Sequence, residues 1–230
     1  MNTNENQYRE EVFLSEYRNA SNLNEERGWQ EHQDMQLAFL DTVGFKSDTN
    51  FLDIGCGPMR LGVALIPKLI NGWYFGQDIN PETLNFGEEI LRKAGISLNS
   101  QYTLLSSDQF DLEKVDREID MAFSNSLFSH LNLNSILTCL YRVQEVLSPG
   151  ASYYSTFFQI PTDFSWLEPY PRNKWGHDFF TYSYKDPYHY SFELIRSIAN
   201  KSGFKISILK NYGHPTQTMI RFKSIKSRWF

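Results

Sequence analysis

The stretch "NFLDIGCGPMRLG", residues 50 to 62, constrains this chain more than any other. An apolar run carrying one acid, Asp53, leads into Gly55 and Gly57 and then into a helix-forming segment. In a strand–turn–helix unit, glycines let the chain reverse sharply and let a ligand approach the backbone. The free N–H groups of the helix start then offer positive partial charge to whatever binds there. A Gly-x-Gly pair alone occurs in many tight turns, so its neighbours must decide what the turn holds.

Downstream, strands and helices alternate. "GWYFGQD" reads as a second strand, "NPETLNFGEEILRKAG" as a helix with Asn80 as N-cap and Pro81 at its first position, and "QYTLLS" as a third strand. "IDMAFSNS" is a fourth strand, "LNSILTCLYRVQEVLSPG" a helix ended by Pro149-Gly150, and "ASYYSTFF" a fifth strand. "RLGVALIPKLI" continues from the glycine turn as a helix that Pro67 kinks or stops. "SFELIRSIANKSG" is a last helix, opened at His189, and "FKISILKNYG" and "TQTMIRFKSI" are two further strands that pair. Continuous apolar strands alternating with helices require a parallel sheet covered on both faces. The expected fold is therefore α/β, a doubly wound, Rossmann-like sheet of seven strands in one domain over residues 1–230. Such sheets bind ligands at the carboxyl ends of their strands, so the residues just after strands one to four carry most weight.

Two segments lie outside this rhythm. Residues 1–45 form an N-terminal helical cap: short helices or an arm before residue 25, then an amphipathic helix from Glu25 to Val43 that Gly44 stops. Residues 159–188 have prolines, no clean period and many aromatics, and aromatic residues make up 16% of the whole chain. A long loop of that composition is expected to be a functional insertion or lid rather than disordered chain.

Charge and composition limit the partners. A net charge of −5 repels phosphate backbones and disfavours nucleic acid. The basic end "RFKSIKSRWF" is the local exception and reads as a solvated end strand. No apolar run reaches the roughly 18 residues of a membrane span, and "MNTNENQYREE" lacks the apolar region of a leader, so a cytoplasmic protein is expected. Cys56 and Cys139 fit neither a disulfide framework nor a metal site, and no metal is expected.

Two acids narrow the ligand. Asp53 stands two residues before Gly55, where a dinucleotide's pyrophosphate would be repelled, so it favours a cationic ligand. Asp78 ends the second strand 21 residues after Gly57, the place of an acid that accepts from ribose hydroxyls. S-adenosylmethionine carries both a ribose and a sulfonium.

On "FLDIGCGPMRLG", "YFGQDINPETL" and the run from "IDMAFSNS" to "STFF", the chain resembles the class I S-adenosylmethionine-dependent methyltransferases over about residues 45 to 160. The resemblance implies a seven-stranded sheet with the last strand antiparallel. It also implies that Asp53, Gly55, Cys56 and Gly57 line the methionine part of the cofactor. Asp78 would bind the ribose, Ile79 would pack on adenine, Asp108 and Gln109 would meet the adenine edge, and Ser124 would close the pocket. Met59 departs from the family pattern, which has a third glycine there; its side chain is expected to point into the helix packing.

The reaction this implies is methyl transfer to a small-molecule acceptor at oxygen or nitrogen. His130 and His189 are the candidate general bases. Trp166, Trp175, His177 and Tyr188 are the candidate acceptor-binding residues. Two alternatives stay open: a non-catalytic cofactor-binding protein of the same fold, and a nicotinamide-dependent oxidoreductase. The latter would want a glycine where Arg60 stands and no acid at Asp53.

Overall fold

The computed structural model describes residues 23–97, 100–174, 177–210 and 212–226. The expected short helices before residue 23 lie outside the described residues. Helix α1 (Leu23–Thr42) ends where Gly44 takes a left-handed φ of +90°, the stop expected of a glycine there.

Seven strands follow one path: β1 (Asn50–Ile54), β2 (Trp73–Asp78), β3 (Tyr102–Ser106), β4 (Ile119–Ser124), β5 (Leu147–Ile160), β9 (Phe204–Leu209) and β10 (Thr218–Ser224). Their order is β3-β2-β1-β4-β5-β10-β9. The first five are parallel, and β10 runs antiparallel to both β5 and β9. This is the expected doubly wound architecture with the last strand reversed.

Alternate strand residues serve opposite faces, as a two-residue period demands. Leu52, Phe75, Ala122 and Tyr153 join Ile136, Leu140 and Val143 of α4 (Leu133–Val146) and Ile195 of α5 (Phe192–Lys201) in one core. Phe51, Tyr74, Phe123 and Tyr154 join Leu40 of α1, Leu65 of α2 (Gly62–Leu65) and Leu84 of α3 (Pro81–Lys93) in the other. Asn80 caps α3 as expected, its side chain accepting from the Glu82 and Thr83 amides.

Five details differ from the sequence reading. The segment after the glycine turn is a single short helix followed by a 3-10 turn at Ile66–Lys68, because Pro67 admits no longer helix. Helix α4 ends at Val146, and Pro149-Gly150 lies within β5. The basic end begins inside the sheet rather than at its edge: β10 is inserted between two strands, with Ile220 and Phe222 fully buried, while Arg221 and Lys223 fall on the alternate positions. The aromatic segment folds as a hairpin of β6 (Tyr170–Lys174) and β7 (His177–Thr181). An eighth short strand, β8 (His189–Ser191), then pairs in parallel with the end of β5, so the last helix opens at Phe192 rather than at His189. Among the described residues, no helix is long and apolar enough to cross a membrane.

Candidate functional site

The glycine turn is fastened to the neighbouring strand before it reaches α2. The amides of Gly55 and Cys56 both donate to the Gln77 carbonyl, at 2.8 and 3.0 Å. Gly55 and Gly57 take φ of +67° and +56°, values that glycine alone adopts without strain. Met59 takes +66°, so the position of the missing third glycine keeps that glycine's backbone conformation. The cost for a side-chain-bearing residue is about 1–2 kcal/mol. Complete burial of the Met59 side chain offsets it, a gain of about 1.5–3 kcal/mol. Room for that side chain comes from two glycines: a Cβ at Gly62 would lie 2.5 Å from Met59 Cε, and one at Gly87 2.6 Å from Met59 Cγ. Met59 thus points into the helix packing, as expected.

Asp78 ties the turn to the end of β2. Its Oδ2 accepts from the Gly57 amide at 2.9 Å and its Oδ1 from the Asn80 amide at 3.0 Å. Burial raises its pKa, and the backbone donors from Asn80, Gly57 and Ile79 oppose that rise. Those three donors leave about one of the carboxylate's roughly four lone-pair sites for a ligand. Asp53 lies deeper, 4% exposed, with the Tyr74 hydroxyl donating to its Oδ2 at 2.6 Å. Burial pushes its pKa up to about 7, against the pull of the Tyr74 hydrogen bond. Cys56 is buried at the turn, its Sγ 3.1 Å from where a Cβ on Gly76 would lie. Burial, and then the charges of Asp78 and Asp53, push its thiol pKa well up.

At the rim, Ile79 is an exposed apolar side chain directly after Asp78. Asp108 and Gln109 are also exposed. They sit in a turn organised by Ser107, whose Oγ accepts from the Gln109 and Asp111 amides at 3.1 and 2.8 Å. Ser124 is placed differently from the expectation. Its hydroxyl is fully buried inside the sheet, against Tyr153 Oη at 2.8 Å and Ser155 Oγ at 2.7 Å. The polar atoms presented just after β4 belong instead to Asn125 and Ser126. Ser126 holds a left-handed φ of +60°, and its amide donates to Thr156 Oγ1 at 2.7 Å.

Residues from distant parts of the chain flank this turn. Asn125 Oδ1 accepts from Tyr212 Oη at 2.6 Å. His214 Nε2 lies 3.5 Å from Ser126 Oγ, while its Nδ1 accepts from the Thr216 and Gln217 amides. Those two donors fix the tautomer, with the ring proton on Nε2. The ring of His32, from α1, runs within 13° of parallel to that of His214, and Arg60 reaches His32 Nδ1 at 3.3 Å while lying over Trp29. A polar residue on a cap helix and another in a late turn share no motif, so only the fold reveals their meeting.

The candidate bases fall in different settings. His130, in the 3-10 turn Phe128–His130 after β4, has its Nδ1 at 2.9 and 3.0 Å from the two carboxylate oxygens of Asp186. That pairing holds the proton on Nδ1 and makes Nε2 the lone-pair nitrogen. His189 is fully buried, its Nδ1 3.0 Å from Thr181 Oγ1 and its ring edge-on to Phe164 and Tyr170. Burial and then the charge of Arg172 hold its imidazole below the ordinary range, so it is neutral.

Of the candidate acceptor-binding residues, Trp166 is 39% exposed on the aromatic segment. Tyr188 packs in the core beside Tyr190, and its amide donates to the Ser129 carbonyl at 2.6 Å, joining the residue just before β8 to the turn after β4. The side chains of Trp175 and His177 lie outside the described residues.

Comparison with known proteins matches residues 45–194 to a family model described as a methyltransferase domain. Among solved structures, a magnesium protoporphyrin IX methyltransferase from Synechocystis PCC 6803 with bound SAH superposes with a TM-score of 0.64 at 13% identity, over 93% of this chain and 94% of that one. An S-adenosylmethionine-dependent methyltransferase from Clostridium acetobutylicum gives 0.61 at 13% identity, over 85% and 92%. One from Methanosarcina mazei gives 0.58 at 19% identity, over 81% and 98%.

Proposed function

The chain belongs to the methyltransferase domain family, and from that premise we propose that it moves a methyl group from S-adenosylmethionine to a small-molecule acceptor at oxygen or nitrogen. The observation that carries this reading is the clasp between Asp78 Oδ2 and the Gly57 amide. It locks an open glycine turn beside a carboxylate with accepting capacity to spare, a pair suited to a ligand with a ribose next to an amino-acid chain. Gly55, Cys56 and Gly57 would hold the methionine part, Asp78 the ribose hydroxyls, and Ile79 the adenine face. Asp108 and Gln109 would meet its edge, and Asp53 would favour the positive end. The cofactor, when bound, supplies a methyl group made electrophilic by its sulfonium.

This chain's own task is then to bind, orient and dry the acceptor. Holding the acceptor in line with the methyl group supplies much of the acceleration. An oxygen acceptor must lose a proton, and His130 is the residue that would take it at Nε2, with Asp186 orienting the ring. An amine acceptor needs only to be kept neutral, which the aromatic segment would favour by excluding water. The segment over residues 159–188 would roof the acceptor, with Trp166, Trp175 and His177 among its contacts. Tyr188 would support it through the backbone bond to Ser129.

Calorimetric titration of the full chain with S-adenosylhomocysteine and with NADH tests the proposal. Saturable binding of the first and none of the second is expected. Binding of NADH without S-adenosylhomocysteine would overturn it in favour of nicotinamide chemistry.

A further inference from the structure

Two buried polar atoms beneath the aromatic hairpin have no hydrogen-bond partner among the described residues: His189 Nε2 and Arg172 Nε. Their chemistry is opposite. Thr181 Oγ1 donates its only proton to the Tyr170 carbonyl at 3.4 Å, so at 3.0 Å it accepts from His189 Nδ1. The His189 ring proton is therefore on Nδ1, and Nε2 is a bare lone pair. Arg172 can only donate; one terminal nitrogen is used on the Gln159 carbonyl at 2.6 Å, and Nε–H is not.

The surroundings are aromatic. The Arg172 guanidinium lies 4.5 Å from the Tyr170 ring centroid and 5.3 Å from that of Phe158. Tyr170 also borders His189, and Phe179 of β7 lies 5.7 Å from Phe158. An acceptor and a donor left unmet among aromatic rings call for a ligand group that both donates and accepts. A carboxylate or an ether could only accept, and an ammonium could only donate. A hydroxyl does both, the aromatic walls suit one borne on a flat ring, and the cation favours an acidic one.

We infer that His189 and Arg172 form a recognition site for a phenolic hydroxyl of the methyl acceptor, beneath the hairpin of β6 and β7. The inference rests on the methyl-transfer reading and narrows its acceptor to phenols. A water molecule satisfies the same two atoms, so the test must tell the two apart.

The test uses the full chain saturated with S-adenosylhomocysteine, titrated by calorimetry with 4-nitrophenol and with its methyl ether, 4-nitroanisole, which lacks the donor. Binding of the phenol at least about tenfold tighter than the ether is expected. His189→Gln and Arg172→Met should each bring the ratio of the two affinities close to one while leaving affinity for S-adenosylhomocysteine unchanged, which also shows that the variants fold. No binding of 4-nitrophenol, equal binding of phenol and ether, or a ratio unchanged in both variants would overturn the site and leave water as its occupant. Absence of S-adenosylhomocysteine binding by the unmodified chain would instead overturn the methyl-transfer reading beneath it.

Discussion

Gly87 sits inside helix α3, where alanine ordinarily stabilises a helix by about 1 kcal/mol over glycine. Here Gly87→Ala should destabilise the protein. The new Cβ would stand 2.6 Å from Met59 Cγ and 3.2 Å from the Pro58 carbonyl carbon. Met59 Cγ is close to the backbone and cannot swing aside, and Met59 itself is held at a φ of +66°. Overpacking of this kind costs about 1–3 kcal/mol, and a loss near 2 kcal/mol corresponds to a fall in Tm of about 4–8 °C for a chain this long. Met59→Gly should also destabilise: losing the buried side chain costs about 2–5 kcal/mol, against about 1–2 kcal/mol regained by relieving the left-handed strain. The two changes should not add. With Met59 removed, the Gly87 methyl fills part of the vacated space, and Gly87→Ala should become neutral or mildly stabilising, a coupling of about 2–3 kcal/mol. Urea unfolding of the two single variants and the double variant measures it. A stabilising Gly87→Ala in the unmodified chain, or strictly additive effects, would refute the claim that Met59 occupies the glycine's conformation by packing into the helix.

Two further outcomes follow from the site. The folded pKa of Asp53, about 7, lies above its unfolded value, so between about pH 4 and pH 7 the folded chain holds a proton the unfolded chain has released. Stability should therefore fall as pH rises through that window, Asp78 contributing with the same sign, and Asp53→Asn should flatten the fall in urea midpoints; an unchanged slope would contradict the assignment. For an oxygen acceptor, Asp186→Asn should lower kcat by about 10²-fold or more with little change in KM for the acceptor, because His130 loses the partner that sets its tautomer; an unchanged kcat would remove His130 as the base.

Much of the fold could be read from local pattern, because its signals are local. The apolar run before Gly55, the Asn80-Pro81 helix start and the alternation of strand and helix each depend on a few neighbouring residues. The strand order around β10 depends on distant pairing, and a basic sequence disguises a strand whose alternate residues Ile220 and Phe222 are buried. The hairpin of β6 and β7 was hidden because Pro171 interrupts its alternation. In the candidate site, the spacing of Asp78 from Gly57 marks a pair that the fold joins by a hydrogen bond. The direction of the Ser124 hydroxyl, inward to Tyr153 and Ser155, leaves no local mark in the sequence, because it is set by the next strand of the sheet. His32, His214 and Arg172 gave no signal, since each acquires its meaning from a neighbour at least one element away.

The central claim is that the glycine turn and Asp78 together form the cofactor site. Calorimetric titration with S-adenosylhomocysteine of the unmodified chain and of Asp78→Asn tests it most directly. The substitution keeps one acceptor oxygen for the backbone but removes the charge, so the account predicts a folded protein whose affinity falls by about tenfold or more. Equal affinity in the two proteins would contradict it.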